Sequence, residues 1–379
     1  MIPRFIKKEI LLSLLKPNTV VGIFGARRTG KTFLMQEIKN ELGKKVLMVQ
    51  GENLDVSEIL SSQRLSQLQR FTEGFNYLFI DEAQKIPDIG INLKLMTDNI
   101  PGLHILVSGS SAFDLRKNIG EPLTGRSHFF HLYPVAQMEL EENFLQTREN
   151  LELRMLFGAY PQVITASSAK ERISTLTSIR DGYLLKDILE LDNQKDSLFV
   201  FNLLRLIAFQ IGNDISFSEL ASRLNVNKKT VMRYLELLEK CYVVFSIHGF
   251  SGNLRNEYTK SPRYYFWDNG IRNVLISNFN SLHLRDDIGK LWENYCISER
   301  LKKNHYQQRL VNPYFWRTYD QKEIDLIEES GGKLTGFEFK WSESKTKKPQ
   351  QFLDAYAHSE FKVINRENYL DFIGRDEET

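Results

Sequence analysis

Cysteine is nearly absent: Cys241 and Cys296 are the two in 379 residues. They are too few and too isolated for a disulfide framework or a cysteine-rich zinc site, which suits a reducing cytoplasm. Charge of one sign is also lacking, because 50 Lys and Arg face 48 Asp and Glu for a formal net charge of +2. No global basic field announces a nucleic-acid partner, so any such surface must be local. No apolar run approaches the roughly 18 residues of a membrane span, and no membrane partner is expected. Seven His are scattered without HExxH or another paired metal spacing, so they read as structural or surface residues. Segment 2–16 carries apolar residues at helical spacing among Lys and Arg. Its unbroken run, Ile10-Leu11-Leu12, is too short for a signal-peptide core, and a short helix before the first strand is expected. Core-forming material is plentiful: 42% of the residues are apolar. The length allows about two to four domains.

The segment Gly25-Ala26-Arg27-Arg28-Thr29-Gly30-Lys31-Thr32 fits GxxxxGK[ST] in full and follows the apolar run Val20-Val21-Gly22-Ile23-Phe24. A buried strand, a glycine-rich turn and a helix form the context in which this pattern cradles phosphate. Gly25 and Gly30 let backbone N–H groups turn inward, and the helix opening at Lys31 adds its positive dipole end. Lys31 is expected on the β- and γ-phosphates and the Thr32 hydroxyl on Mg²⁺, with 25–33, including Phe33, as the nucleotide-binding stretch. Far downstream, Tyr77-Leu78-Phe79-Ile80-Asp81-Glu82 reads as a buried strand ending in two carboxylates. Asp81 is expected to hold Mg²⁺ and Glu82 to polarise the attacking water. The pair predicts binding and hydrolysis of ATP or GTP, and no guanine-reading NKxD is visible.

Segments 20–24, 31–42, 46–49, 77–80 and 104–107 alternate strand and helix, the rhythm of a parallel sheet with helices on both faces. The strand at 104–107 runs into Ser108-Gly109-Ser110-Ser111, at the end of the sheet where ligands sit. Ser108 or Ser110 is a candidate γ-phosphate sensor, or else part of an ordinary serine turn. Arg126 is a candidate to stabilise transition-state charge in cis or across a subunit boundary, or else a surface arginine.

Segment 141–195 reads as helical, interrupted at Gly158-Ala159-Tyr160-Pro161. Segment 216–240 then reads as two short amphipathic helices with a polar turn, and 243–247 as a following strand, which makes a winged helix-turn-helix. Leu220, Ala221, Leu224, Val226, Val231, Leu235 and Leu238 would form its core. Asn227, Lys228, Lys229, Thr230 and Arg233 would line an exposed face suited to DNA, although such modules also dock proteins. Near the end, a helix at 288–303 precedes strands at 313–319, 323–328 and 334–341, a helix near Phe352 and a strand at 361–364. Alternation puts Glu338 and Lys340 on one face and Phe337 and Phe339 on the other. With Asp325, and with Glu293 from the helix, they could hold a divalent metal on a scissile phosphate, Lys340 orienting the water. A solvated strand face carrying E-x-K would look the same.

GARRTGKT, LFIDEAQ, HILVSGSSA, LTGRS and LYPVAQMEL resemble the ATPase core of prokaryotic AAA-type proteins that carry a C-terminal domain of unknown function. FGAYPQVI resembles the start of that C-terminal domain, and GKLWENYCISERL with EIDLIEE and GFEFKW resembles its restriction-endonuclease-like close. The resemblance implies an α/β fold class: a five-stranded P-loop NTPase sheet (1–140), a helical linker (141–195), a winged helix (196–285) and a smaller α/β nuclease-like domain (286–379). It assigns phosphate binding to Lys31 and Thr32, Mg²⁺ and water activation to Asp81 and Glu82, and an arginine-finger role to Arg126. It also places Glu293, Asp325, Glu338 and Lys340 on the nuclease signature, with Ile324 where the motif has Pro. The expected function is an ATPase that couples nucleotide state to DNA, with a C-terminal nuclease site and assembly as a homo-oligomer. The alternative is a nucleotide-gated switch or scaffold that does not cut.

Overall fold

The computed structural model describes residues 2–109, 123, 125–184, 197–252, 261–318, 322–342 and 348–376. The chain divides into two compact units, one built from 3–133 with 240–242 and the other mainly from 134–239 and 243–379.

In the first unit, α1 (Lys7–Leu14) leads into β1 (Val20–Phe24), α2 (Lys31–Leu42), β2 (Val46–Gln50), α3 (Leu54–Leu60) and α4 (Leu65–Thr72). Then come β3 (Tyr77–Asp81), α5 (Ile89–Asn99), β4 (His104–Gly109) and β5 (Ser127–His131). The strands form one sheet in the order β2-β3-β4-β1-β5, every neighbouring pair parallel. Parallel strands covered by helices are buried on both faces, so they read as unbroken apolar runs. All five residues of β1 are accordingly buried, as are Leu78 to Asp81 of β3. Leu78, Ile80, Ile105 and Val107 pack with Leu93 and Met96 of α5, each buried side chain contributing about 1.5–3 kcal/mol. The order places β1 between β4 and β5, so the loop after Phe24 opens in the crevice at the carboxyl ends of the strands.

The second unit begins with α6 (Phe144–Phe157), α7 (Pro161–Ile164), α8 (Ala169–Ile179) and α9 (Ser197–Phe209). It continues with α10 (Phe217–Arg223), α11 (Lys228–Lys240), β6 (Val244–Gly249), β7 (Arg263–Phe266), α12 (Asn269–Leu275) and α13 (Ile288–Tyr306). It closes with β8 (Asn312–Arg317), β9 (Glu323–Ser330), β10 (Lys333–Phe339), α14 (Gln350–Ala355), β11 (Glu360–Ile364) and α15 (Tyr369–Ile373). Six strands make one mixed sheet, β11-β10-β9-β8-β6-β7. β6 pairs antiparallel with β7 on one side and parallel with β8 on the other. The β9–β10 alternation serves two cores. Ile327 and Leu334 pack with Phe352 of α14, whereas Phe337 and Phe339 both meet the Phe372 ring of α15 at a tilt.

Helix α13 is buried along most of its length although it carries many polar groups. Several of these are matched: Asn294 takes the Phe266 N–H and donates to the Phe266 carbonyl, and Glu299 accepts from Lys302 and from the Gln137 N–H. Buried charges persist only when paired in this way.

Candidate functional site

At the end of β1 the segment after β5 approaches so closely that a Cβ on Gly25 would lie 2.0 Å from the Leu132 carbonyl oxygen. Only glycine fits there. Gly30 caps α2 with φ 101, a left-handed conformation that glycine adopts without strain. The Thr29 hydroxyl donates to the Ala26 carbonyl at 2.8 Å and tightens the turn. Lys31 is buried, and its Nζ donates to the Gly25 and Ala26 carbonyls at 2.8 and 3.0 Å. The ammonium thus rests inside the loop, on weak neutral acceptors that phosphate oxygens would outcompete.

β3 delivers Asp81 beside this loop. Its Oδ2 accepts from Thr32 Oγ1 at 2.6 Å and from Gln50 Nε2 at 3.4 Å, and its Oδ1 accepts from Ser108 Oγ. Ser108 Oγ in turn accepts the Glu82 N–H at 3.2 Å, tying β4 to both acids. Glu82 has φ 54, a left-handed conformation unusual for a side-chain-bearing residue, and its carboxylate takes 2.6 Å from Gln84 Nε2. Gly51 closes the back: its N–H donates to the Asp81 carbonyl at 2.7 Å, and a Cβ there would lie 2.5 Å from the Glu82 carbonyl oxygen. Hydroxyl and carboxylate of Thr32 and Asp81 are the hard oxygen donors that Mg²⁺ takes alongside phosphate. With Lys31 they fit a Mg²⁺–nucleoside triphosphate.

The second cluster sits where β9 and β10 meet α13. Leu326 pairs with Phe337, so Asp325 lies across from Glu338. Asp325 is buried, and its Oδ2 accepts the Phe339 N–H at 2.9 Å. Glu338 pairs with Lys340 Nζ at 2.7 Å. Glu293 accepts from Tyr265 Oη at 2.8 Å and from Lys290 Nζ at 3.0 Å. Burial pushes the Asp325 carboxyl well above the usual range, and the neighbouring Glu293 and Glu338 push it further. Burial works against the Lys340 charge, but Glu338, Asp325 and Glu293 outweigh it and raise the Lys340 pKa. The structure therefore brings all four expected residues into one electrostatic neighbourhood. It does not form them into a metal cage: among the described residues no group of three or more His, Cys, Asp or Glu side chains is placed to hold an ion. In the structure Glu293 faces Tyr265 and Lys290, Asp325 the Phe339 N–H, and Glu338 Lys340.

Residues 17–141 match a family model described as an AAA domain. This match falls mainly on the first unit, which is similar to AAA domains over that stretch. Beyond it, residues 148–282 and 288–372 match two models described as domains of unknown function, DUF8612 and DUF4143. An uncharacterized protein of Mycobacterium tuberculosis is 28% identical over 330 residues, covering 85% of this chain and 70% of that protein. One of Haemophilus influenzae is 24% identical over 335 residues, covering 80% and 78%. Among solved structures, a signal transduction ATPase with numerous domains and a tetratricopeptide repeat sensor, from Pyrococcus horikoshii, is similar at 14% identity and a TM-score of 0.32. The match covers 80% of this chain and 45% of that one. The Thermotoga maritima RuvB Holliday junction branch migration motor is similar at 20% identity and a TM-score of 0.28, covering 63% and 88%.

Within the first unit, Arg126 lies away from the phosphate loop. Its carbonyl accepts the Val20 N–H at 2.9 Å, at the start of β1, whereas the loop leaves from Phe24 at the other end. A strand of this length spans about 13 Å at roughly 3.3 Å per residue. The guanidinium pairs with Asp98 at that far end. Parallel pairing of Val20 with Ser127 thus sets Arg126 against a role in cis. Phe33 is half exposed on α2, and Ser110 lies outside the described residues. In the second unit, Asn227 Oδ1 caps α11 by accepting the Thr230 N–H at 2.8 Å. Leu220, Ala221, Val231, Leu235 and Leu238 are buried as expected, joined by Tyr234, while Leu224 and Val226 are half-buried. Lys228, Lys229 and Arg233 are exposed.

Proposed function

We propose that this protein is an ATP-hydrolysing switch whose second unit engages DNA. The observation that carries the catalytic half is Asp81, whose two oxygens meet the hydroxyls of Thr32 and Ser108 beside a loop that already holds Lys31. Bound Mg²⁺–ATP would supply the transferable γ-phosphoryl group and the metal's charge neutralisation. The backbone N–H groups of 25–32 and the Lys31 ammonium orient and neutralise the phosphate chain. Thr32 and Asp81 would hold the metal. Glu82 holds the attacking water and takes its proton, with Gln84 fixing one carboxylate oxygen. Replacing Glu82 by Gln should keep nucleotide binding and abolish turnover, and a variant that hydrolyses at the wild-type rate would remove Glu82 from the role.

The DNA half rests on element order and exposed charge. Helices α9, α10 and α11 followed by the β6–β7 ribbon have the sequence of elements of a winged helix, and Lys228, Lys229 and Arg233 stand exposed near the start of α11. Phosphate contacts by these residues make binding salt-dependent, so removing one should weaken binding to all duplexes alike and lower the salt slope by about one. DNA affinity measured with an ATP analogue and with ADP tests the coupling, and equal affinity would leave no switch. In a homo-oligomer, Arg126 would have to exchange Asp98 for a neighbouring subunit's nucleotide, which a dependence of turnover on protein concentration would reveal.

A second reading, metal-dependent DNA cleavage by the second unit, is favoured by the convergence of Asp325, Glu338 and Lys340. It requires the carboxylates to leave their present partners. Incubation of DNA with Mg²⁺ or Mn²⁺ decides it: cleavage lost in Glu338→Ala supports the reading, and intact DNA with the wild type excludes it.

A further inference from the structure

Arg4 lies ahead of α1 and outside both phosphate-site motifs, yet it is buried. A guanidinium taken out of water needs its N–H groups satisfied. Its Nη1 donates to the Thr29 carbonyl at 2.7 Å and its Nη2 to the Tyr133 carbonyl at 2.6 Å. Thr29 is the loop residue directly before Gly30 and Lys31, and its own hydroxyl is bonded back across the turn to Ala26. Tyr133 follows Leu132, whose N–H donates to the Phe24 carbonyl at 2.6 Å and whose carbonyl oxygen is packed against Gly25.

The chain just after β5 therefore grips the loop twice. Leu132 holds the limb that leaves β1, and Tyr133, through Arg4, holds the limb that enters α2. The planar fork of an arginine can span two carbonyls in fixed directions, which the single ammonium of a lysine cannot. We infer that Arg4 is a positioning residue of the phosphate loop: it fixes the Thr29 carbonyl, and with it the inward aim of the following N–H groups and the start of α2. Arg4 touches no substrate in this role. It acts through the loop, on interactions that persist from bound nucleotide to transition state.

The inference rests on the reading of 25–32 as a nucleotide site, and its effect is on uniform binding, which moves KM and leaves kcat. In the full-length protein, Arg4→Ala should raise the KM for ATP and the Kd for ADP by about tenfold, the size expected for losing charged hydrogen bonds. Its kcat should stay within about twofold of wild type. Arg4→Lys, which keeps the charge and one bond, should fall between, and millimolar guanidinium should restore part of the ADP affinity of Arg4→Ala. A merely structural role would instead lower the thermal midpoint without nucleotide and reduce kcat in step with the folded fraction, leaving KM and the Kd of the folded protein unchanged. That result overturns the inference, as does wild-type ADP affinity in both variants. If Arg4→Ala does not fold, Arg4→Lys carries the test by the same ADP titration. Wild-type protein that binds no ADP would overturn the nucleotide-site reading along with it.

Discussion

The two units each gather acids and a lysine, and they do opposite things with them. In the first unit, Asp81 accepts from neutral donors, the hydroxyls of Thr32 and Ser108, while Lys31 donates to backbone carbonyls. Among the described residues, the groups hydrogen-bonded to Asp81 are neutral. In the second unit, Asp325 is buried against Glu293 and Glu338, and Lys340 and Lys290 are spent on those glutamates. Like charges in a low-dielectric site favour protonation of one of them, so the cluster neutralises itself. Residue type alone therefore does not make a phosphate site; the charge state of the immediate neighbours does.

The largest test of this contrast is catalytic. Lys31→Ala should lower ATP turnover by about 100-fold or more, the scale of losing a charge that stabilises the transition state. Asp325→Asn should leave turnover within about twofold, and an ATPase that fails equally in both variants would erase the distinction.

A smaller effect concerns pH. With its pKa raised in the folded state, Asp325 holds a proton there that the unfolded chain has released above roughly pH 3.9. The native state then binds more protons than the unfolded one, so this group makes stability fall as pH rises through the window from that value up to its folded pKa. The slope is at most about 1.4 kcal/mol per pH unit for one proton. Urea unfolding of wild type and Asp325→Asn across that range should show a flatter dependence in the variant. Parallel curves would mean that Asp325 is ionised and the self-neutralised picture is wrong.

The smallest effect is expected at Arg126, whose pair with Asp98 is half exposed. Arg126→Ala should change stability by no more than about 1 kcal/mol. Turnover in dilute protein should be unchanged, while a loss that appears only at concentrations supporting assembly would place this arginine at a neighbour's site.

Much of the first unit is legible because burial on both faces writes β1, β3 and β4 as largely apolar runs, each leading into residues of the candidate site. β5 is harder to see: all five residues of Ser127–His131 are only partly buried at the sheet edge, so no such run marks it. The far-end position of Arg126 depends on that strand pairing parallel to β1, a long-range fact absent from local pattern. Gly51 and Arg4 were invisible for a related reason. Each acts on backbone atoms of residues distant in sequence, and neither belongs to a recognisable motif. In the second unit the strand alternation around Glu338 could be read directly, but the Tyr265 hydroxyl that meets Glu293 comes from β7, far from it in sequence.

The six-stranded sheet bears on how such a protein can be inherited. The two domains of unknown function meet between residues 282 and 288, yet β6 in the first is hydrogen-bonded to β8 in the second. A recombination event at that border would strand one half of a sheet without its neighbour and leave open edges prone to aggregation. These two segments should therefore fold as one inseparable pair.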